Sequence, residues 1–301
     1  MIFSVVEIPK KKKWIGVLLI GLHFFWSCSD RPVVTNDLSE GEKQYWFEGL
    51  AEINSFRISQ SRYGEMRDGE SVILFVTEDF SPDLRTKADE SSEDNVSVLK
   101  MIRIKRFGTG IYDYSVMTST FFPFSEGLTS LKVSMSAQDW CGHSYMEVLN
   151  KNGLQADYYS YFAKERLKNE KLGEVYLEDD IWSWIRLRNK SLPVGSYQFV
   201  PSLEYLSLFH KEVKAYEAHT ELEVLSDYSL YTIFYTDLER TLSISFENEA
   251  PYSISGWAET YNDGDGKPAI SSGELMHQMK TDYWNKKSNA DSVYHKELKL
   301  K

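Results

Sequence analysis

The chain has 301 residues with 34 Lys+Arg against 45 Asp+Glu, a formal charge of -11, so neither nucleic acid nor anionic lipid finds a favourable field on its body. Its two cysteines, Cys28 and Cys141, exclude a disulfide-stapled scaffold, and the fold must be held by its core, one large or two modest. The 19 Tyr, 16 Phe and 8 Trp suit wide sheets and their faces.

Lys10 to Lys13 precede an apolar run from Trp14 to Trp26 that is shorter than the ~20 residues a membrane-spanning helix needs. Cleavage after Ser27 is therefore the expectation, with residues 1–27 a lipoprotein signal peptide and Cys28 the acylated first residue of the mature chain. Two or more acyl chains, palmitate among them, anchor a protein stably. Phe25 and Trp26 depart from the usual lipobox, which leaves ordinary secretion and an uncleaved anchor as alternatives. Ser29 follows the cysteine and Asp30 comes only after it, a pattern that points to the outer membrane of a diderm cell, facing the periplasm or the cell surface. Loss of residues 1–27 removes Lys10 to Lys13 and Glu7 and moves the formal charge from -11 to -14.

Residues 28–44 are polar and read as a tether, with Gly41 to Lys43 turn-like. Residues 45–301 read as a single β-rich envelope domain. Runs at 51–65, 71–80, 96–107 and 111–124 have the residue types of strands. They are separated by Asp68-Gly69, the polar segment Lys87 to Asn95, and Gly108-Thr109-Gly110. The connection between the last two runs is too short for a crossover helix, so antiparallel neighbours are expected. Further runs at 128–138, 140–150 and 154–162 follow, the last two joined through Asn152-Gly153, a strong hairpin signal.

A short helix is predicted from about Asp180 to Asn189, with Glu178, Asp179 and Asp180 as helix-start acids and Leu192-Pro193-Val194-Gly195 as its stop. Runs at 196–210, 213–224, 229–237, 241–248 and 252–261 are predicted strands. The tail from about Gly273 is expected to hold one or two short helices. The fold class is mainly β: a large antiparallel sheet, as sandwich or partly open barrel, with one short mid-chain helix and short C-terminal helices. Two β-rich halves meeting near residues 165–195 are the alternative.

Trp140-Cys141-Gly142-His143 draws the eye to chemistry. On an extended strand Cys141 and His143 share a face, and an imidazole near a thiol lowers its pKa. A thiol enzyme also needs an oxyanion site and a group orienting the histidine; the competing reading is a structural cysteine beside an ordinary strand histidine. His210 and His219, on separate predicted strands, make a two-ligand metal site with no placed third ligand. Asp263 and Asp265 in Asn262-Asp263-Gly264-Asp265-Gly266 are the candidate calcium ligands, without the spacing of an EF-hand; a tight acidic turn is the plainer reading. No cofactor is expected. Phe121, Phe122, Tyr159, Tyr161, Trp182 and Trp184 are candidate ligand-binding aromatics, able to line a groove or to pack a core.

Taken together, YWFEGLAEINSFRISQSRYGE, VILFVTEDF, GIYDYSVMTSTFFP, DWCGHSYMEVLN and LPVGSYQFVPS resemble a group of uncharacterised Bacteroidota lipoproteins that often carry the label septum formation inhibitor Maf. The resemblance covers roughly residues 45–300. A Maf-type nucleotide pyrophosphatase is a cytoplasmic α/β enzyme with an early Ser-x-Ser-x-Arg-Arg-like phosphate-binding segment, whereas this chain has an export signal and lacks that pattern. The resemblance therefore implies no catalytic residue. The functional expectation is a membrane-anchored, non-catalytic binding protein for an apolar or glycan ligand or an envelope protein. A thiol-dependent or hydrolytic enzyme using Cys141 and His143 is the alternative, and a structural component of an envelope complex the third reading. A deep pocket favours binding, Cys141 and His143 exposed together in a cleft favour the enzyme, and a broad apolar patch favours assembly.

Overall fold

Alternation of buried and exposed side chains builds most of this molecule as a computed structural model describes it, for residues 38–301 apart from Ser91, Glu126, 263–267 and Lys301. Helix α1 (Glu40–Phe47) opens the described chain, capped by Ser39 and Glu42 in a reciprocal capping box. Residues 40–44, read above as tether, are thus already helical.

Strands β1 (Ala51–Arg62), β2 (Glu65–Ser81), β3 (Thr86–Lys87), β4 (Val96–Thr109), β5 (Tyr112–Pro123), β6 (Lys132–Asp139), β7 (Gly142–Asn150), β8 (Leu154–Tyr159) and β9 (Leu167–Gly173) follow as an antiparallel meander in which β3 pairs only with β2. Then come β10 (Tyr176–Leu177), helix α2 (Ile181–Arg188), β11 (Gly195–Val200) and helix α3 (Leu203–Leu208). A second meander, β12 (Tyr216–Val224), β13 (Ser229–Tyr235), β14 (Arg240–Phe246), β15 (Ile254–Asn262) and β16 (Pro268–Thr281), precedes helix α4 (Ser292–Glu297).

β16 pairs with β1, which joins the two meanders into one sixteen-stranded sheet among the described residues. Only β10 and β11 pair in parallel; the sheet ends at β9 and β10, consecutive in sequence yet not hydrogen-bonded to each other. The result is a large, mostly antiparallel, incompletely closed sheet, as expected. Its edges are blunted in the usual ways: β10 has two residues and β9 exposes Lys168, Asn169, Glu170 and Lys171.

The sheet curls around α2 and α3. Every residue of both helices is buried, and one continuous core joins their side chains to inward-facing residues of both meanders, among them Phe56, Phe75, Met101, Phe122, Met146, Tyr231 and Ile244. The described residues form one compact unit, not two halves meeting near 165–195. A smaller cluster covers the outer face where Ile53, Leu74 and Val76 meet Leu298 from the C-terminal segment. Apolar groups on both faces explain why residues 72–76 read as an unbroken hydrophobic run rather than an alternation.

Three local expectations are corrected. Asp68-Gly69 is not a turn: β2 runs through it, and the reversal lies at Tyr63-Gly64, both with positive φ. Gly69 is needed instead for close approach, since a Cβ there would stand 2.2 Å from the Arg106 carbonyl oxygen. The run 196–210 is a strand only to Val200, after which Ser202 caps α3 by accepting from the Tyr205 N–H. The chain remains a strand through Gly273 to Thr281, where the tail helices were expected to begin. There Trp257, opposite Gly273 in the ladder, lays its indole over the glycine, 2.2 Å from where a Cβ would sit. Gly273→Ala is therefore expected to cost about 1–3 kcal/mol through overpacking, read as a lower urea midpoint at unchanged slope; an unchanged midpoint would show that Trp257 can move aside.

Candidate functional site

Because successive strands reverse direction, the turns Tyr63-Gly64, Gly110-Ile111 and Trp140-Cys141 and the β8–β9 connection gather at one end of the sheet. Helix α1 leads into β1 at the other end. The hairpin end is rich in exposed apolar groups: Ile111 is 79% exposed, Trp140 71% and Tyr161 64%. Between these turns and the C-terminal end of α3 lies a cleft of about 90 Å³, lined by residues that include Arg62, Tyr63, Tyr114, Cys141, His143, Tyr161, Phe162, Glu165 and His210.

Hydrogen bonds fix its walls. Arg62 donates to the Leu208 carbonyl at 2.6 Å and to the Tyr114 hydroxyl at 3.3 Å, and the Tyr63 and Tyr114 hydroxyls meet at 2.7 Å. The Glu165 carboxylate accepts from Ser160 at 2.6 Å and Tyr158 at 3.2 Å, and its other oxygen lies 2.5 Å from His210 Nδ1. Phe162 stands edge-on to His210, ring centroids 5.1 Å apart. Burial raises the Tyr114 phenol, and its hydrogen bond to Tyr63 adds to the rise, so it stays protonated and available as a donor at neutral pH.

Cys141 does not lie on an extended strand with His143. Trp140 and Cys141 form the turn of the β6–β7 hairpin, where Asp139 accepts from the N–H groups of Cys141 at 2.6 Å and Gly142 at 3.3 Å. The shared strand face is lost, but the two side chains are exposed and line the same cleft. Tyr161 packs directly over Gly142.

The other aromatic candidates take different places. Tyr159 is exposed beneath the Arg166 guanidinium, 5.9 Å from its ring centroid. Phe121 is half-buried, 5.1 Å from Phe80. Phe122 and Trp184 are wholly buried, 5.8 Å apart, with Arg188 over both. Trp182 is buried against Trp257 at 5.5 Å and Arg103 at 5.1 Å. Cys28, Asp263 and Asp265 lie outside the described residues.

His210 follows α3 in a turn and His219 is on β12 beside Ser196 and Glu221, so they do not face each other across the sheet. Among the described residues no group of three His, Cys, Asp or Glu side chains is placed to hold a metal ion, and no helix is long and apolar enough to cross a membrane.

Glu178, Asp179 and Asp180 are not solvated helix-start acids. All three are buried. Glu178 receives a bidentate pair from Arg240 at 2.5 and 2.7 Å and the Tyr235 hydroxyl at 2.8 Å. Asp179 accepts from the Leu203 N–H at 2.9 Å and faces Arg103 at 3.5 Å. Asp180 accepts from the N–H and hydroxyl of Ser130 at 2.8 and 2.5 Å. Arg103 and Lys105 on β4 both reach Glu204 on α3. Arg103, Lys105, Glu178, Glu204 and Arg240, with Gln60 and Glu259, line an interior cavity of only about 20 Å³, room for a water and not for an organic ligand. This polar part of the interior is filled by its own side chains. Two broader depressions, about 260 Å³ around Leu128, Gly173 and Tyr176 and about 300 Å³ around Trp46, Phe47 and Trp284, lie away from the hairpin end.

No family model matches the sequence. No curated protein matches it either. Among solved structures, the chain is similar to a beta-barrel-like protein of a domain of unknown function, DUF1849, from Brucella abortus, with 11% identity and a TM-score of 0.44 over 78% of this chain and 99% of that one. A protein solved in a study of in-meso crystallization of membrane proteins aligns at 8% identity and a TM-score of 0.16 over 80% of this chain and 86% of that one. Identities this low assign the chain no family and no activity.

Arg62, Tyr63, Tyr114 and Glu165 escaped the sequence reading, and His210 entered it only as a metal-ligand candidate with His219. The signal for two of them was available: Arg62-Tyr63-Gly64 is a turn by its glycine, and a turn between two long strands puts its neighbours at a sheet end. Nothing local marks Glu165 and His210, which are 45 residues apart.

Proposed function

We propose that this chain is a membrane-anchored envelope lipoprotein, held at the outer membrane through acylated Cys28, that binds a ligand at its hairpin-end cleft without transforming it. The lysine run, the apolar segment and Cys28 support the location, as does the likeness to Bacteroidota lipoproteins. The cleft carries the binding reading: exposed aromatic rings border a concave site whose hydroxyl, guanidinium and imidazole groups converge, while the polar cavity beneath α3 has room only for a water. Flat rings beside hydrogen-bonding groups suit a sugar-like body with an apolar face. An envelope protein docking on Ile111 and Trp140 is the neighbouring possibility.

A specific observation favours one second reading. Cys141 and His143 both line this cleft, so thiol-dependent catalysis remains the alternative, with His143 as base.

The test is native mass spectrometry of the full-length lipidated protein purified from its membrane, with wild type compared to Tyr161→Ala/Phe162→Ala. The expected result is a co-purifying small molecule on wild type that the double variant loses. Retention by the variant would count against the cleft, an unacylated Cys28 against the location, and turnover abolished by Cys141→Ser would replace binding by catalysis.

A further inference from the structure

The proposed binding function leaves the ligand's charge open, and the charge distribution around the cleft addresses it. The chain as a whole carries -11, yet from Tyr159 to Lys171 four cationic side chains stand against two acidic ones. Lys164, Arg166, Lys168 and Lys211 are exposed, and none forms an ion pair among the described residues. Lys164 and Arg166 flank the cleft residue Glu165, and Lys211 follows the cleft residue His210.

The acids at the same place are occupied. Asp139 is engaged by two backbone N–H groups, Glu165 by His210, Ser160 and Tyr158, and Glu212 by Lys214 at 2.6 Å; Glu170, on the β9 edge, and Asp113, beside the Gly110-Ile111 turn, are the exposed exceptions. Arg62 meets hydroxyls and a carbonyl in the cleft wall, and no carboxylate among the described residues neutralises it. Cations without ion pairs, outnumbering the exposed carboxylates beside them, make a site that attracts negative charge on a protein that otherwise repels it.

We infer that the cleft binds an anionic glycan, its acidic groups held by the Lys164, Arg166 and Lys211 collar and its sugar face by Tyr161 and Phe162. This deepens the proposed binding function and rests on it. The site is concave and hydroxyl-lined, which favours a discrete oligosaccharide over a bilayer surface. Carboxylated and sulfated glycans share the recognised chemistry.

The test is equilibrium binding by the full-length protein in detergent, with tetragalacturonate, a heparin tetrasaccharide and neutral maltotetraose as probes, and with phosphatidylglycerol vesicles in parallel. One or both anionic probes are expected to bind at least about tenfold more tightly than maltotetraose, and to weaken at least about tenfold as salt shortens the screening length from about 10 Å to about 3 Å. Lys164→Glu/Arg166→Glu/Lys211→Glu is expected to lose that binding while melting as wild type does. Equal binding of maltotetraose without salt dependence would keep the binding function and overturn the anionic ligand. Vesicle binding without oligosaccharide binding would assign the collar to a membrane surface and overturn it as well. Failure of every probe, with no molecule co-purifying on the native protein, would overturn both readings.

Discussion

Replacing Arg186 by leucine is expected to destabilise the protein by about 3–5 kcal/mol, because it strands the Glu52 carboxylate in the core. Arg186 gives Glu52 two hydrogen bonds of 2.5 Å and donates from Nε to the Pro251 carbonyl at 2.7 Å. Both side chains have no exposure at all. The guanidinium also lies between Trp46 and Phe75, 5.0 and 4.8 Å from their centroids, which lets a planar cation occupy an aromatic cage. Tyr45 and Asn54 complete the shell around Glu52. For a domain of this size the loss corresponds to roughly 10 °C in Tm. The Glu52→Leu/Arg186→Leu double variant should recover much of it, since two apolar groups leave no unpaired charge. A melting curve of Arg186→Leu within about 2 °C of wild type would show that the pair is dispensable.

The second large effect is a fall in stability from mildly acidic to mildly alkaline pH. Burial raises the Asp180 carboxyl to about 7 and that of Asp179 to about 6. Between the usual aspartate range and these values the folded protein holds protons that the unfolded chain has released, so stability declines as pH rises and the decline is complete above about 7. Glu52 acts in the opposite sense. Burial would raise its carboxyl, but Arg186, Tyr45 and Asn54 together outweigh burial and bring it to about 2. Its contribution is present above the usual glutamate range and is lost as pH falls toward 2. The expected optimum is near pH 4, with a loss of a few kcal/mol by pH 8. Asp180→Asn, neutral throughout, should flatten that loss by about half in urea titrations at pH 5 and pH 8. An unchanged difference between the two pH values would remove Asp180 as its source.

Asp180 also shows what this acid does structurally. With Ser130 on its carboxylate, and with Arg188 donating to the Pro123, Ser125 and Gly127 carbonyls, the two ends of α2 hold the β5–β6 connection against the buried helix. Charged residues placed where a helix start and end are conventionally solvated serve here as interior clips. Neighbouring sequence does not reveal that change of role, since the partners lie 50–65 residues away.

The sequence by itself determined the strand-rich class, most of the strands, the β7–β8 hairpin at Asn152-Gly153 and the bounds of α2, because each follows from local alternation, turn chemistry or capping. It misread α3, whose Leu203–Leu208 segment is too short to show a helical period and whose Pro201-Ser202 start was overlooked as a cap. Only the tertiary structure decided that β16 meets β1, that the sheet wraps α2, and that Glu52, Arg103, Lys105, Glu178, Glu204 and Arg240 are interior groups. A charged side chain is affordable in a core only when a partner arrives to pair with it, and here the partners arrive from far along the chain, as Glu52 and Arg186 do across 134 residues. The cleft belongs to the same category. Tyr161, Cys141 and His143 were visible as candidates, but their meeting with Arg62, Glu165 and His210 depends on which hairpin ends the order of strands brings together.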